Sequence, residues 1–182
     1  MELSLFNPKE GFDRGKPLYF VALWYLFKMI FFLSAFPWPI NLKVFILRCF
    51  GSKIGSGFYL QPEVSIHFPW KLEVGDNCWI GKQTEIHNME FLKIEDNVAI
   101  AHRVLITTGS HDFSKKRHPY RNQPTTIGSK VWIASCVFIG PGLKIGEGCV
   151  IYAGAVVTKS TPPWKRIMGN PAQVIGERVL TD

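Results

Sequence analysis

The sequence predicts an all-β fold: a parallel β-helix of about five triangular coils behind an N-terminal helical segment. Three observations predict it. Aliphatic residues recur every six positions within successive triplets after Gly51, an aromatic-rich apolar run precedes them, and the rhythm has one long interruption, at 107–126. The 182 residues suffice for one packed core, and 47% hydrophobic content argues against a largely disordered chain.

Residues 1–50 form the first unit. Within them PLYFVALWYLFKMIFFLSAFPWPI, residues 17–40, is apolar except for Lys28 and Ser34, and prolines at 17, 37 and 39 bracket it. Its core, Leu18 to Phe36, is barely long enough to span a bilayer, and Lys28 near the middle would cost roughly 2.5–3.5 kcal/mol on insertion. A cleaved signal peptide fits no better, because the run is long and no small-residue cleavage site follows it. The expectation is one or two helices packed on the rest of the chain. Their aromatic face suits a partner subunit or the surface of a membrane.

Residues 51–182 carry the repeat. Aliphatics stand at 54, 60 and 66, then 74, 80 and 86, then 94, 100 and 106, then 127, 133 and 139, and finally 145, 151 and 157. Neither the helical period of 3.6 nor the strand period of two explains this spacing. Short strands joined by tight turns do: three units close a triangular coil of about 18 residues, and stacked coils place successive strands ~4.8 Å apart. Residues four beyond each aliphatic, such as Val64, Cys78, Val98 and Ala155, join the predicted core.

Between Ile106 and Ile127 the step is 21, so an inserted loop leaves the coil at 107–126, and such excursions commonly carry function. His111 lies at the root of this loop, where the coil should hold it. His118, between Arg117 and Pro119, is expected to be looser. Coil register also stacks outward residues. Ser135 and Ala153 each follow an inward isoleucine by two, and their column runs back to the bulkier His102, Lys82 and Pro62. Small residues on the last two levels would leave a groove. A second column, His67, His87, Thr107, Gly140 and Thr158, lines the side from which the loop departs.

The excess of 21 Lys plus Arg over 14 Asp plus Glu gives +7, which suits an anionic partner. The basic residues are scattered and form no recognition motif, so nucleic acid is not expected. Cys49, Cys78, Cys136 and Cys149 are widely spaced without a CxxC pair, and no Asn-linked glycosylation sequon occurs. A cytoplasmic location is the expectation, peripheral on the inner membrane face if the N-terminal helices rest there.

The segments GFDRGKP (11–17), FGSKIG (50–55), PWKLEVGD (69–76), TGSHDFS (108–114), VWIAS (131–135), AGAVVTKS (153–160) and GNPAQVIGERV (169–179) resemble the hexapeptide-repeat acyltransferases, most nearly their colanic acid acetyltransferase (WcaF) group. The resemblance implies a left-handed β-helix, homotrimers with active sites between subunits, and an acetyl-CoA-dependent O-acetyltransferase. The acceptor would be a saccharide of an exopolysaccharide or of a lipid-linked precursor. It assigns the general base to His111, whose imidazole, with an ordinary pKa of about 6.5, can accept a proton at neutral pH. It assigns the oxyanion contact to the Ser135 backbone N–H, and donor contacts to Ala134, Ser135, Ala153, Thr158 and Lys159. Lys165, Arg166 and Arg178 are further candidates for cofactor phosphates, and His87 and Asn88, with His67 one coil away, for the acceptor. No metal is expected: the HxxxxH of the carbonic anhydrases that share this fold is missing, since five residues after His67, His87 and His102 come Leu72, Leu92 and Thr107. Two other readings stay open, a non-catalytic β-helix scaffold or binding module and an N-acetyltransferase acting on an amino sugar.

Overall fold

The computed structural model describes residues 2–181. Strands of two to four residues form three faces of a triangular parallel β-helix. The first face stacks Lys53–Ile54, Leu72–Val74, Leu92–Ile94, Thr125–Ile127 and Lys144–Ile145. The second stacks Tyr59–Leu60, Trp79–Ile80, Ala99–Ile100, Trp132–Ile133, Val150–Ile151 and Lys165–Met168. The third stacks Ser65–Ile66, Glu85–His87, Leu105–Thr107, Phe138–Ile139 and Val156–Val157.

Register follows the six-residue beat. Ile54 pairs with Val74, Val74 with Ile94, Ile133 with Ile151 and Ile139 with Val157. The aliphatics point into one continuous core, with Val64, Cys78, Val98, Val104, Val131 and Cys149 filling the space between them. The corners between strands take left-handed backbone. Asn77 at φ 54° and Asn97 at φ 58° occupy two of them, a conformation that asparagine adopts more readily than most residues.

The coil count reaches about six rather than five, because Lys165–Met168 adds a rung on Val150–Ile151. Ile145 bridges Thr161 and Ile151 pairs with Ile167, both steps of 16 residues, so the last coil is shortened at 158–160, the corner between the third and first faces. Gln173–Glu177 then returns antiparallel on that rung. The corner after the third face departs from the beat from the first coil onward. It carries a 3-10 turn at Pro69–Lys71, a bend at 88–91 and, in the third coil, the inserted loop.

The open end of the first coil is capped by helices. α1 spans Leu18–Phe27 and runs into a π-helical turn at Lys28–Phe32, and α2 spans Ile40–Cys49. Each α-helix begins directly after a proline, whose missing N–H forfeits no helical bond there. Trp24, Phe32, Leu47 and Phe50 belong to the same core as Ile54, Phe58, Leu60 and Ile66. The indole N–H of Trp24 donates to the carbonyls of Ile66 (3.2 Å) and His67 (3.0 Å), so the cap is hydrogen-bonded to the coil it covers. Among the described residues no helix is long and apolar enough to cross a membrane.

Candidate active site

The inserted loop folds as a two-stranded arm. The N–H groups of Gln123, Arg121 and Asp112 donate to the carbonyls of Thr108 (2.9 Å), Ser110 (2.7 Å) and Pro119 (2.9 Å), and His111 and Tyr120 form an antiparallel bridge. His118 turns back onto His111 rather than lying loose. Their rings stack with centroids 4.5 Å apart and planes 2° from parallel. Antiparallel pairing, which the six-residue rhythm does not encode, brings the second histidine onto the first.

The arm also sets the state of His111. Its Nδ1 lies 2.9 Å from the backbone carbonyl oxygen of His118. A carbonyl can only accept, so the hydrogen sits on Nδ1 and the lone pair is left on Nε2. Tyr120 packs 4.5 Å from the His111 ring, and Phe6 packs at 5.7 Å. Asp112, the next residue, does not orient His111. Its Oδ1 accepts from the N–H (3.1 Å) and hydroxyl (2.5 Å) of Ser114, and those hydrogen bonds hold the carboxyl below its usual range.

A feature absent from the sequence reading supports the arm from outside. The N-terminal segment crosses it: the N–H of Glu2 donates to the Lys116 carbonyl (3.0 Å), and that of Tyr120 to the Glu10 carbonyl (3.3 Å). Phe12 packs on Tyr120 at 5.1 Å. Gly11, at φ 75°, lies so close to the Tyr120 carbonyl that a side chain would have no room. The glycine in GFDRGKP was the available signal.

A cavity of about 400 Å³ opens beside His111, lined also by Arg121, Gln123, Phe138, Gly140 and Thr158. Of the predicted donor contacts, only Thr158 shares it. Ser135 and Ala153 do stack on adjacent coils, with the Gly154 N–H donating to the Ser135 carbonyl at 3.0 Å, but they sit at the corner between the second and third faces. The Ala134 N–H is taken by the Ile151 carbonyl (2.9 Å), whereas the Ser135 N–H donates to no described residue. The Ser135 hydroxyl lies 3.1 Å from Nδ1 of His102. Lys159 and Arg166 are exposed. Lys165 pairs with Glu177, and Arg178 donates to the carbonyls of Lys130 (2.7 Å) and Gly148 (3.0 Å), so these two fasten the C-terminal strands instead of standing free for phosphate. A larger concavity, about 660 Å³ on the first face, holds none of the predicted site residues.

The acceptor candidates divide. His87 is half-buried and stacks on His67 with centroids 4.8 Å apart, one rung below Thr107 at the root of the arm. Burial pushes the His67 imidazole down to about 4, helped by the nearby His87, Lys28 and Lys71. Asn88 is fully buried: its Oδ1 accepts from the Phe68 N–H (2.9 Å), and its Nδ2 donates to the Phe68 carbonyl (2.6 Å). Both ends of the amide are consumed in holding the third corner, which corrects the expectation that Asn88 contacts an acceptor. Among the described residues, no group of three His, Cys, Asp or Glu side chains could hold a metal ion.

A β-helix on a six-residue beat, broken by one histidine-bearing arm, defines the class: the chain belongs to the hexapeptide-repeat acetyltransferases. The family profile described as "Bacterial transferase hexapeptide (six repeats)" matches residues 124–159. Over 181 residues the chain is 36% identical to the Escherichia coli (strain K12) protein named "Putative colanic acid biosynthesis acetyltransferase WcaF", covering 100% of this chain and 99% of that one. Among solved structures, a maltose O-acetyltransferase from Clostridium difficile 630 superposes with TM-score 0.79 at 26% identity, covering 99% of both chains. A galactoside acetyltransferase in complex with coenzyme A superposes with TM-score 0.78 at 30% identity, covering 85% of this chain and 79% of that one.

Proposed function

We propose that the chain transfers an acetyl group from acetyl-CoA to a hydroxyl of a saccharide, the sugar belonging to an exopolysaccharide or its lipid-linked precursor. The observation that carries this reading is the 2.9 Å contact from His111 Nδ1 to the His118 carbonyl, because it leaves Nε2 as a base at the edge of a cavity. The relatives that act on galactoside and maltose supply the sugar, and the coenzyme A complex supplies the donor class.

In the proposed step Nε2 of His111 removes the acceptor's hydroxyl proton as its oxygen attacks the thioester carbonyl carbon. The resulting oxyanion is met by the uncommitted N–H of Ser135. Collapse breaks the carbon–sulfur bond, and the proton on Nε2 passes to the departing thiolate, leaving acetylated sugar and free coenzyme A. His111 and Ser135 stand at different corners of one chain, which favours a site completed by a neighbouring copy in a homotrimer. Ala153, Thr158 and Lys159 would flank the donor, and His87 would approach the acceptor. With a lipid-linked acceptor, the enzyme would work at the inner surface of the membrane.

The test is turnover with acetyl-CoA and a panel of glycosides, read as free thiol. His111→Ala should lower kcat about 10²–10⁴-fold. Equal turnover by both proteins would remove the general-base assignment, and wild type that turns over no acceptor would favour a scaffold instead. Acylation of amino sugars but not of hydroxyl sugars would move the reading to N-acetylation.

A further inference from the structure

We infer that the helical cap is a docking surface for an anionic lipid bilayer. The outward row of α1 would enter the boundary between headgroups and acyl chains, and Lys9, Arg14 and Lys16 would engage lipid phosphates. This deepens the membrane part of the proposed function and rests on it, but not on the catalytic assignments.

The first observation is the outward face of the cap. Val21, Trp24 and Phe32 turn inward, yet Tyr19, Leu23, Leu26, Met29, Ile30 and Leu33 are all exposed. Positions 19, 23, 26, 30 and 33 recur at helical spacing, so they form a continuous apolar row where a helix facing water would be polar. The helix is too short to span a bilayer, which leaves it to lie flat.

The second observation is charge. Residues 14–62 contain no Asp or Glu and six basic residues, Arg14, Lys16, Lys28, Lys43, Arg48 and Lys53. Lys28 and Lys43 are buried, Arg48 donates to the Ile54 carbonyl (2.6 Å) and Lys53 pairs with Glu73 (3.2 Å), so Arg14 and Lys16, with Lys9 beside them, are the cations this end of the cap presents to a partner. At the foot of α1 a cavity of about 390 Å³ is lined by Lys9, Asp13, Arg14, Lys16 and Leu18. Asp13 is its single carboxylate, and it accepts the Gly15 N–H at 2.8 Å. Among the described residues Lys9, Arg14 and Lys16 form no ion pair. Arg14 and Lys16 instead lie 5.5 Å from the ring centroids of Phe12 and Phe20.

The same charge argues against a second copy as the occupant. A self-complementary contact through this face would bring two net-basic surfaces together, each with Asp13 as the single carboxylate among Lys9, Arg14 and Lys16, whereas anionic headgroups neutralise them. Cations beside an apolar row also match the layered chemistry of a lipid surface, with phosphate outside and hydrocarbon within.

The test uses full-length protein and vesicles of phosphatidylcholine alone or mixed with about one-third phosphatidylglycerol, read by flotation. Binding should appear on the anionic vesicles, stay near background on the neutral ones, and fall at least about tenfold when salt rises to about 0.5 M. The double variant Leu23→Glu/Leu26→Glu should lose lipid binding about tenfold or more while its elution volume and turnover of a soluble sugar stay at wild-type values. Turnover reports on catalysis alone, so lipid binding by a protein without activity would sink the catalytic reading and leave this one standing. Absence of binding to both vesicle types, equal binding to both, or unchanged binding by the double variant would overturn the inference. A shift in oligomeric state in that variant would assign the face to a second copy and overturn it as well.

Discussion

The imidazoles of His111 and His118 lie face to face, 4.5 Å between centroids and 2° from parallel, while the His118 carbonyl accepts from His111 Nδ1 at 2.9 Å. One residue thus fixes both the tilt of the proposed base and its tautomer. The carbonyl survives substitution of the side chain, but the ring does not. His118 also sits at φ 51°, which asparagine tolerates better than alanine. His118→Asn should therefore keep the arm's backbone and free the His111 ring to tilt. We expect kcat to fall about tenfold with KM for acetyl-CoA within about twofold, measured by steady-state thiol release. A melting temperature close to wild type would separate this effect from unfolding of the arm.

The coils were legible because a solenoid writes its register along the sequence: each aliphatic meets the equivalent residue of the next coil, as Ile133 meets Ile151. The sixth rung was hidden because its coil is two residues short, so Ile167 falls out of phase with Ile151. The support of His111 was hidden for a different reason. Glu2, Phe6 and Phe12 reach the arm across more than a hundred residues without any repeat to announce the contact. His111 itself was legible from the break in the beat. Asn88 was misread because its position resembles an outward one, although the two extra residues of that corner turn it inward onto Phe68.

Ser135 makes its proposed contribution through the main chain, whose N–H is uncommitted while that of Ala134 is bound to Ile151. Ser135→Ala removes only the hydroxyl and its 3.1 Å contact with His102. Turnover should stay within about threefold of wild type, since loss of a true oxyanion donor costs about 10²–10³ in kcat. A drop of that larger size in steady-state assays would assign the chemistry to the side chain instead.

Asn88 has two buried hydrogen bonds to one backbone unit, so truncation strands both groups of Phe68. Asn88→Ala should lower unfolding free energy by about 2–4 kcal/mol, taking about 1–2 for each unmade partner. Urea titration measures it. Asn88→Asp should be at least as damaging, because a carboxylate oxygen would then face the Phe68 carbonyl without a hydrogen to share. Below the variants' melting temperatures, KM for the sugar should be unchanged, as expected of a residue that shapes the corner without touching the acceptor.

His67 gives the fold an acid limb. Its ring is half-buried between Tyr25, whose hydroxyl lies 3.3 Å from Nδ1, and the stacked His87, and burial brings its pKa from 6.5 down to about 4. Between those values the unfolded chain binds the proton and the folded chain does not, so stability rises with pH across that window. The contribution is whole above pH 6.5 and is lost progressively as pH falls toward 4. A shift of this size corresponds to at most about 3 kcal/mol, and to less in practice because part of the ring meets solvent. His67→Gln retains a polar partner for Tyr25 without titrating in this range. Its unfolding free energy should fall less than that of wild type between pH 7 and pH 4.5, whatever its value at pH 7. Parallel pH profiles for the two proteins, followed by urea denaturation, would show that the acid limb belongs to other groups.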